Sequence, residues 1–340
     1  MNDFFKTVRS FIMEYLPNQR NCSENTIVSY RAALNLLVEF LRSQKHMKVH
    51  QIGFDTLNRE TILEFLDWLE HSRNCGAKTR NQRLMALRSF VKYAGIMDCT
   101  QIVLQIDIGN VPLKNVPGRI VDFLTEDALK ALLVQPNPKK RNGLRDRFFM
   151  TLMYDTGARC GELLNLKVQD LRIDTKHPVA YFLVTKGSKP RAVALMDKTV
   201  RFCRQYLELF HSDSHDGQYL FYTVAHGTRQ QMSADNVASF MEKYGKLARI
   251  VCPEIPDKIH PHQLRHTRAI HYYRDGMPLS LIAEILGHAS VESTKIYAYA
   301  DTEMKRVAME KSNRVHNYIA PSSAIWENDE DMILKLSGLA

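Results

Sequence analysis

Arg159 and Glu162 stand three residues apart in the stretch Thr156-Gly157-Ala158-Arg159-Cys160-Gly161-Glu162. Arg159 follows a glycine break where a new helix should start, so its guanidinium can reach outward while Glu162, one turn later, orients it. Alone, this pair reads as a surface ion pair of little worth. A second group lies in His260-Pro261-His262-Gln263-Leu264-Arg265-His266-Thr267. Pro261 suits the first position of a helix, which puts His262 and Arg265 on one face. An imidazole beside a permanent planar cation matches the non-bridging oxygens of a phosphate. A third group runs from Leu286-Gly287-His288 to Tyr297. Gly287 ends a helix, His288 projects from the loop, and Tyr297 sits on a short helix; alone it reads as a buried structural tyrosine. Tyr299 faces the other side, so only one of the two can face a given site. The fourth is Lys186, in Thr185-Lys186-Gly187-Ser188-Lys189. On a glycine-containing turn it can swing into a site from the rim; without context it is a solvated lysine.

His262 and His266 also have the spacing of a metal pair. Arg265 and Arg268 on the same helix would repel a dication, and no carboxylate lies close in sequence. The reading is therefore no metal, with His266 a packed helix histidine.

The elements that must position these groups are mainly helical. Phe4, Val8, Phe11, Ile12, Tyr15 and Leu16 recur at helical spacing, and a second helix starts after Ser23, a good N-cap, and runs to Leu41. Thr61–Leu69 and Lys78–Tyr93 give a third and a fourth. Further helices are expected over Leu144–Tyr154, with Gly157 as a left-handed cap, and over Asp197–His211, Ala234–Ala248, Pro261–Asp275 and Leu279–Leu286. One hairpin, Ala180–Val184 with Ala192–Leu195, carries Lys186 at its tip. The fold class is thus mainly α with a small β-hairpin or sheet (α+β). Val111-Pro112 and Val116-Pro117, flanked by Gly109 and Gly118, mark a linker. The expected layout is a helical unit over 1–108, a linker over 109–120, a second domain over 121–320 and a tail over 321–340.

The chain carries 46 Lys and Arg against 37 Asp and Glu, a net charge of +9 over 340 residues. That balance favours nucleic acid or an anionic membrane surface as partner, unless the charge serves solubility alone. No stretch approaches the length of a membrane span. Six scattered cysteines without a C-x-x-C pair fit a reducing cytosol, so a cytoplasmic, nucleoid-associated protein is expected. Charge is concentrated from Arg73 to Lys92, where six residues are basic and none is acidic. Lys78, Arg80, Arg83, Arg88 and Lys92 are expected to contact DNA, with Arg80, Arg83 and Arg88 on the solvent side and Leu84, Leu87 and Val91 facing a core.

Each of the four groups is weak alone, but in this order and spacing the chain resembles the tyrosine recombinases, also called the phage integrase family. The resemblance covers nearly the whole chain, including the basic helix from Thr79-Arg80-Asn81 to Ser89-Phe90. It implies a helical core-binding domain before a catalytic domain, and a site-specific DNA recombinase working through a 3′-phosphotyrosyl intermediate. Arg159 and Arg265 would clamp the scissile phosphate, Tyr297 would be the nucleophile, and Lys186 the general acid assisted by His262. His288 would hydrogen-bond a phosphate oxygen, and Glu162 would brace the site. No nucleotide cofactor or metal is implied. The implied partner is double-stranded DNA with short inverted-repeat core sites, bound by a tetramer, with an accessory directionality protein left open. Integration or excision of a mobile element, or resolution, would be the role. The tail, with its apolar Met332–Leu336, could dock on a neighbouring protomer. Two alternatives stay open at this point: a type IB-like DNA topoisomerase, and a catalytically inactive DNA-binding protein.

Overall fold

The computed structural model describes residues 2–116, 121–183, 190–212, 217–300, 306, 309 and 329–339. The chain divides into two compact units, Met1–Arg119 and Ile120–Ala340.

The first unit is helical throughout. It comprises α1 (Asp3–Ser10), a π-helical segment (Phe11–Gln19), α2 (Glu24–Ser43), α3 (Arg59–His71), α4 (Ala77–Met97) and α5 (Ile102–Gly109), with single 3-10 turns between. Ser23 caps α2 by accepting from the Thr26 amide, as its position predicts. The single helix expected over Phe4–Leu16 instead changes winding at Phe11. Pro17 has no amide to donate, and the Arg20 amide reaches back five residues to the Tyr15 carbonyl. The core is aromatic: Phe90 meets Phe4 at 5.7 Å and Phe11 at 5.5 Å, both edge to face. Burying each such ring stabilises the unit by ~1.5–3 kcal/mol.

Helix α4 differs from expectation on its charged side. Leu84, Leu87 and Val91 do face the core, but Arg80 is buried with them at 3% exposure. Its guanidinium donates to the Pro112 carbonyl and to Asn81 Oδ1 and lies 3.7 Å from Glu70. Arg83 and Arg88 are half-buried, donating to the carbonyls of Ser29 and of Ile108 and Val111. Only Lys78 and Lys92 of the five are exposed. The three arginines therefore brace α2, α5 and the chain after it; their long stems cross apolar surface while the heads find main-chain oxygens. The same bonds hold part of the expected linker: Val111 is buried in this core and Asn81 pairs with the main chain of Lys114.

Arg80→Met should consequently cost the first unit about 1–3 kcal/mol, the usual penalty for leaving buried acceptors unsatisfied. Urea unfolding of the full chain checks this. A stability unchanged by the substitution, with a DNA-binding salt slope lower by about one, would return Arg80 to the phosphate-contacting set.

The second unit opens with α6 (Glu126–Leu133), α7 (Arg141–Thr156) and α8 (Cys160–Asn165). A three-stranded antiparallel sheet follows, β1 (Leu171–Arg172), β2 (Val179–Phe182) and β3 (Arg191–Ala194), with Ala180 opposite both Leu171 and Val193. After α9 (Asp197–Phe210) comes a second hairpin, β4 (Tyr222–Ala225) and β5 (Thr228–Gln231), where one hairpin had been expected. Its turn is His226-Gly227, both at positive φ, the geometry of a two-residue hairpin loop. The unit continues with α10 (Ala234–Val251), α11 (Pro261–Arg274), α12 (Leu279–Leu286) and α13 (Lys295–Ala300). Phe148, Phe149, Tyr206 and Phe221 centre its main core. A smaller cluster of Ala269, Ile270, Ile282, Leu286 and Tyr297 joins α11, α12 and α13. The helix Glu330–Leu336 stands near the C-terminus with Met332, Ile333, Leu334 and Leu336 all exposed.

Candidate active site

Two helices end here on left-handed glycines, α7 at Gly157 (φ 60°) and α12 at Gly287 (φ 66°). Space as well as backbone conformation demands glycine there. A Cβ at Gly157 would lie 2.6 Å from Leu286 Cδ2, and one at Gly287 2.8 Å from an Arg191 nitrogen. Each sharp ending leaves carbonyl oxygens at the helix terminus, and Arg265 on α11 takes one from each. Its guanidinium donates to Gly157 O at 2.7 Å and to Leu286 O at 2.8 Å, with the side chain 1% exposed. Burial and the neighbouring Arg159 lower its pKa to about 10, so it remains a cation at neutral pH.

Arg159 is the residue preceding α8. Its amide donates to Glu162 Oε2 at 2.8 Å and its guanidinium to Glu162 Oε1 at 2.9 Å. Glu162 also receives both terminal nitrogens of Arg191 from β3, at 3.2 and 2.7 Å, and lies 4.0 Å from Arg265. Arg191 is itself fixed, donating through Nε to the Ile285 carbonyl at 2.7 Å. Burial pushes the Glu162 carboxyl up, but the bonds from Arg191 and Arg159 outweigh it and hold the pKa at about 2. One carboxylate against three guanidiniums leaves an excess of two positive charges. A phosphodiester can offset that excess, and the one-third-exposed Arg159 side chain gives it a way in.

Tyr297, on α13, is 1% exposed. Its hydroxyl is 3.0 Å from His266 Nδ1, and its ring stacks on that of His288 at 6.4 Å and 14°. Burial raises the phenol pKa, while Arg265 and Arg159 pull the other way. His288, projecting after Gly287, has Nδ1 2.8 Å from Thr294 Oγ1. Burial first, then Arg265 and Arg159, lower its pKa to about 4, so it is a neutral hydrogen-bonding group at pH 7. The exposed His262 ring packs edge to face on His266 at 4.5 Å. Its pKa is lowered too, by partial desolvation and by Arg265 and Arg159. Cys160, beside Arg159, is pushed up to about 11 by burial and is an unreactive thiol at neutral pH.

The structure thus gathers Arg159, Glu162, His262, Arg265, His288 and Tyr297 around one cationic recess. Lys186 lies outside the described residues. Two models of known families match the same chain: the phage integrase family over residues 122–304, and the phage integrase N-terminal SAM-like domain over residues 10–95. The chain belongs to the phage integrase family, the tyrosine-type site-specific recombinases.

Its relatives include the tyrosine recombinase XerA of Pyrococcus furiosus, 28% identical over 321 residues, covering 92% of this chain and 98% of that protein. XerA of Thermococcus kodakarensis is 30% identical over 261 residues, covering 76% and 83%. Among solved structures, the Tn1549 transposon integrase in complex with transposon right end DNA matches with a TM-score of 0.68 at 16% identity, over 89% of this chain and 98% of that one. XerH recombinase bound to difH matches at 0.63 and 20%, over 90% and 87%. At those identities the likeness is one of fold.

Two residues of this integrase stand at the recess that sequence reading did not place there. Arg191 opens a strand directly after the hairpin tip, and nothing in its spacing points to Glu162, 29 residues earlier. His266 was assigned to packing, yet it touches the tyrosine hydroxyl. Its place next to Arg265 on α11, one turn after His262, was the available signal.

Proposed function

We propose that this integrase breaks and rejoins DNA strands by in-line attack of the Tyr297 oxygen on a phosphodiester, forming a 3′-phosphotyrosyl bond and freeing a 5′-hydroxyl. The observation that carries this reading is a buried phenol whose hydroxyl meets an imidazole beside the Arg159–Arg265 pair. The two guanidiniums would hold the non-bridging oxygens and stabilise the charge that develops on them. Glu162 positions Arg159, and His288 would hydrogen-bond a phosphate oxygen. Lys186 would protonate the leaving 5′-oxygen, with His262 assisting. Because the tyrosyl ester conserves the phosphodiester energy, the reaction requires no nucleotide cofactor.

The N-terminal unit serves as core-binding domain and the second as catalytic domain, joined near residues 109–120. Lys78 and Lys92 are exposed for phosphate contact; Arg83 and Arg88 would contribute from their half-buried positions. Strand exchange joins two duplexes, each holding two protomers on short inverted-repeat sites, hence a tetramer on DNA. The apolar side of Glu330–Leu336, exposed within its own chain, suits docking on a neighbouring protomer. Such chemistry serves integration or excision of a mobile element, or resolution, in a cytoplasmic, nucleoid-associated protein.

Covalent trapping tests the reading. Sites are first recovered by selecting protein–DNA adducts from a random duplex pool in EDTA. The adduct peptide is then mapped by mass spectrometry, and its polarity by exonuclease digestion. A 3′ linkage to Tyr297 is expected. A linkage to another residue or to a 5′ end, or no adduct on DNA that the protein binds, overturns it.

A further inference from the structure

We propose that His266 is the residue that takes the proton from the Tyr297 hydroxyl as the oxygen–phosphorus bond forms, and that it returns the proton on religation. This rests on Tyr297 being the nucleophile. The geometry points to His266 for this step, while His262 keeps the separate role of assisting Lys186 at the leaving 5′-oxygen. Nδ1 of His266 lies 3.0 Å from the hydroxyl, within the distance proton transfer needs. The hydroxyl has little access to water in its place, because Tyr297 is 1% exposed. Both partners are held by packing: His266 is half-buried on α11, and Tyr297 belongs to the cluster that joins α11 to α12 and α13.

The groups facing His266 make it available as an acceptor. Burial, His262, Arg265, His260 and His288 all act against its protonation, holding its pKa at about 4. It is therefore neutral before DNA arrives, with a lone pair free for the phenol proton in the tautomer protonated at Nε2. A base so depressed is weak, but the substrate corrects this. A phosphodiester seated between Arg159 and Arg265 offsets the Arg265 charge that helps depress His266, so basicity rises when the target of the nucleophile is in place. The balance closes without further reactants. In cleavage the Oη–H bond breaks and Nδ1–H forms, Oη bonds to phosphorus, and the 5′-oxygen leaves with a proton from a separate acid. In religation the 5′-hydroxyl attacks, the tyrosyl oxygen leaves, and the His266 proton returns to it.

The test is single-turnover cleavage of a nicked duplex by the full chain, comparing wild type, His266→Ala and His266→Asn, with Tyr297→Phe as the zero. Asn places an oxygen where Nδ1 stood and keeps the hydrogen bond, but it cannot accept the proton. Both His266 variants should cleave on the order of 10²-fold slower or more, the scale of general-base catalysis. Two further readouts are specific to the proton. A 5′-bridging phosphorothiolate, whose thiolate leaves without an acid, should not restore their rates, whereas it should restore a Lys186→Ala variant. Added imidazole should accelerate His266→Ala in proportion to its concentration. DNA affinity and melting temperature near wild type verify that the variants fold. Cleavage by His266→Asn within threefold of wild type overturns the proposal in favour of a positioning role, as does restoration by the phosphorothiolate. Should Tyr297→Phe itself cleave, the underlying assignment of the nucleophile fails instead, whatever the His266 variants do.

Discussion

Tyr297→Phe is expected to abolish the covalent protein–DNA complex while leaving the fold and DNA affinity in place. The substitution keeps the buried ring, its packing on Ala269, Ile270, Ile282 and Leu286, and its stack on His288. It removes one hydroxyl and its hydrogen bonding to His266 and Arg265, a net loss of about 1–3 kcal/mol. Chemically the covalent route is closed, because the attacking oxygen is gone. A rate fall near 10⁶-fold is the scale set by deleting a nucleophile elsewhere. A denaturing gel of labelled DNA reads the covalent band, and a mobility shift under native conditions reads affinity. A band that persists in the variant would transfer the role to Tyr299 or another residue.

Glu162→Gln should damage both stability and cleavage, for a different reason. The carboxylate accepts from the Arg159 guanidinium and from both terminal nitrogens of Arg191, in a site buried to 4% exposure. An amide of the same shape presents one acceptor oxygen and turns an NH2 group towards a guanidinium. Three cations would then share the recess without a counter-charge. Breaking a buried ion pair costs about 3–5 kcal/mol, roughly 6–20 °C in melting temperature for a unit of this size. Arg159 would also lose its fixed direction, so cleavage should fall on the order of 10²-fold or more, given how steeply rate depends on alignment. Calorimetry and single-turnover cleavage check the two effects. The pH dependence follows from sign. The Glu162 pKa is about 2 in the fold against an ordinary 4.5, so the unfolded chain binds its proton more readily. The stability it contributes is full above about pH 4.5 and drains as pH falls towards 2. The wild-type advantage over Glu162→Gln should shrink across that window; a difference that stays constant there would remove Glu162 from this role.

Much of the helical framework was legible because apolar spacing and local caps are written in neighbouring residues. Ser23, Pro261 and Gly287 mark helix ends by chemistry that needs no partner far along the chain. The chemical groups were legible as a set of spacings, and Arg159, Glu162, His262, Arg265, His288 and Tyr297 do converge. What stayed hidden depends on distant partners. Periodicity placed Arg80 opposite a core, yet a long side chain can run inward when a carbonyl such as that of Pro112 waits 32 residues away. Strand β5 is exposed at every residue, so it has no alternation to detect. His266 carries the same signature as any packed helix histidine until α13 brings a hydroxyl to it from 31 residues on.

The partners of Arg265 have a consequence for how such a protein can diversify. Both oxygens that fix its guanidinium belong to the main chain, of Gly157 and Leu286, so a change of the Leu286 side chain that keeps the turn does not delete its oxygen. For these two bonds, mutational sensitivity falls on the backbone turns themselves, above all the two left-handed glycines. The rest of the surface is then free to drift. A lineage can exchange the residues that read base sequence, and so acquire new genomic targets, while inheriting its chemistry unchanged.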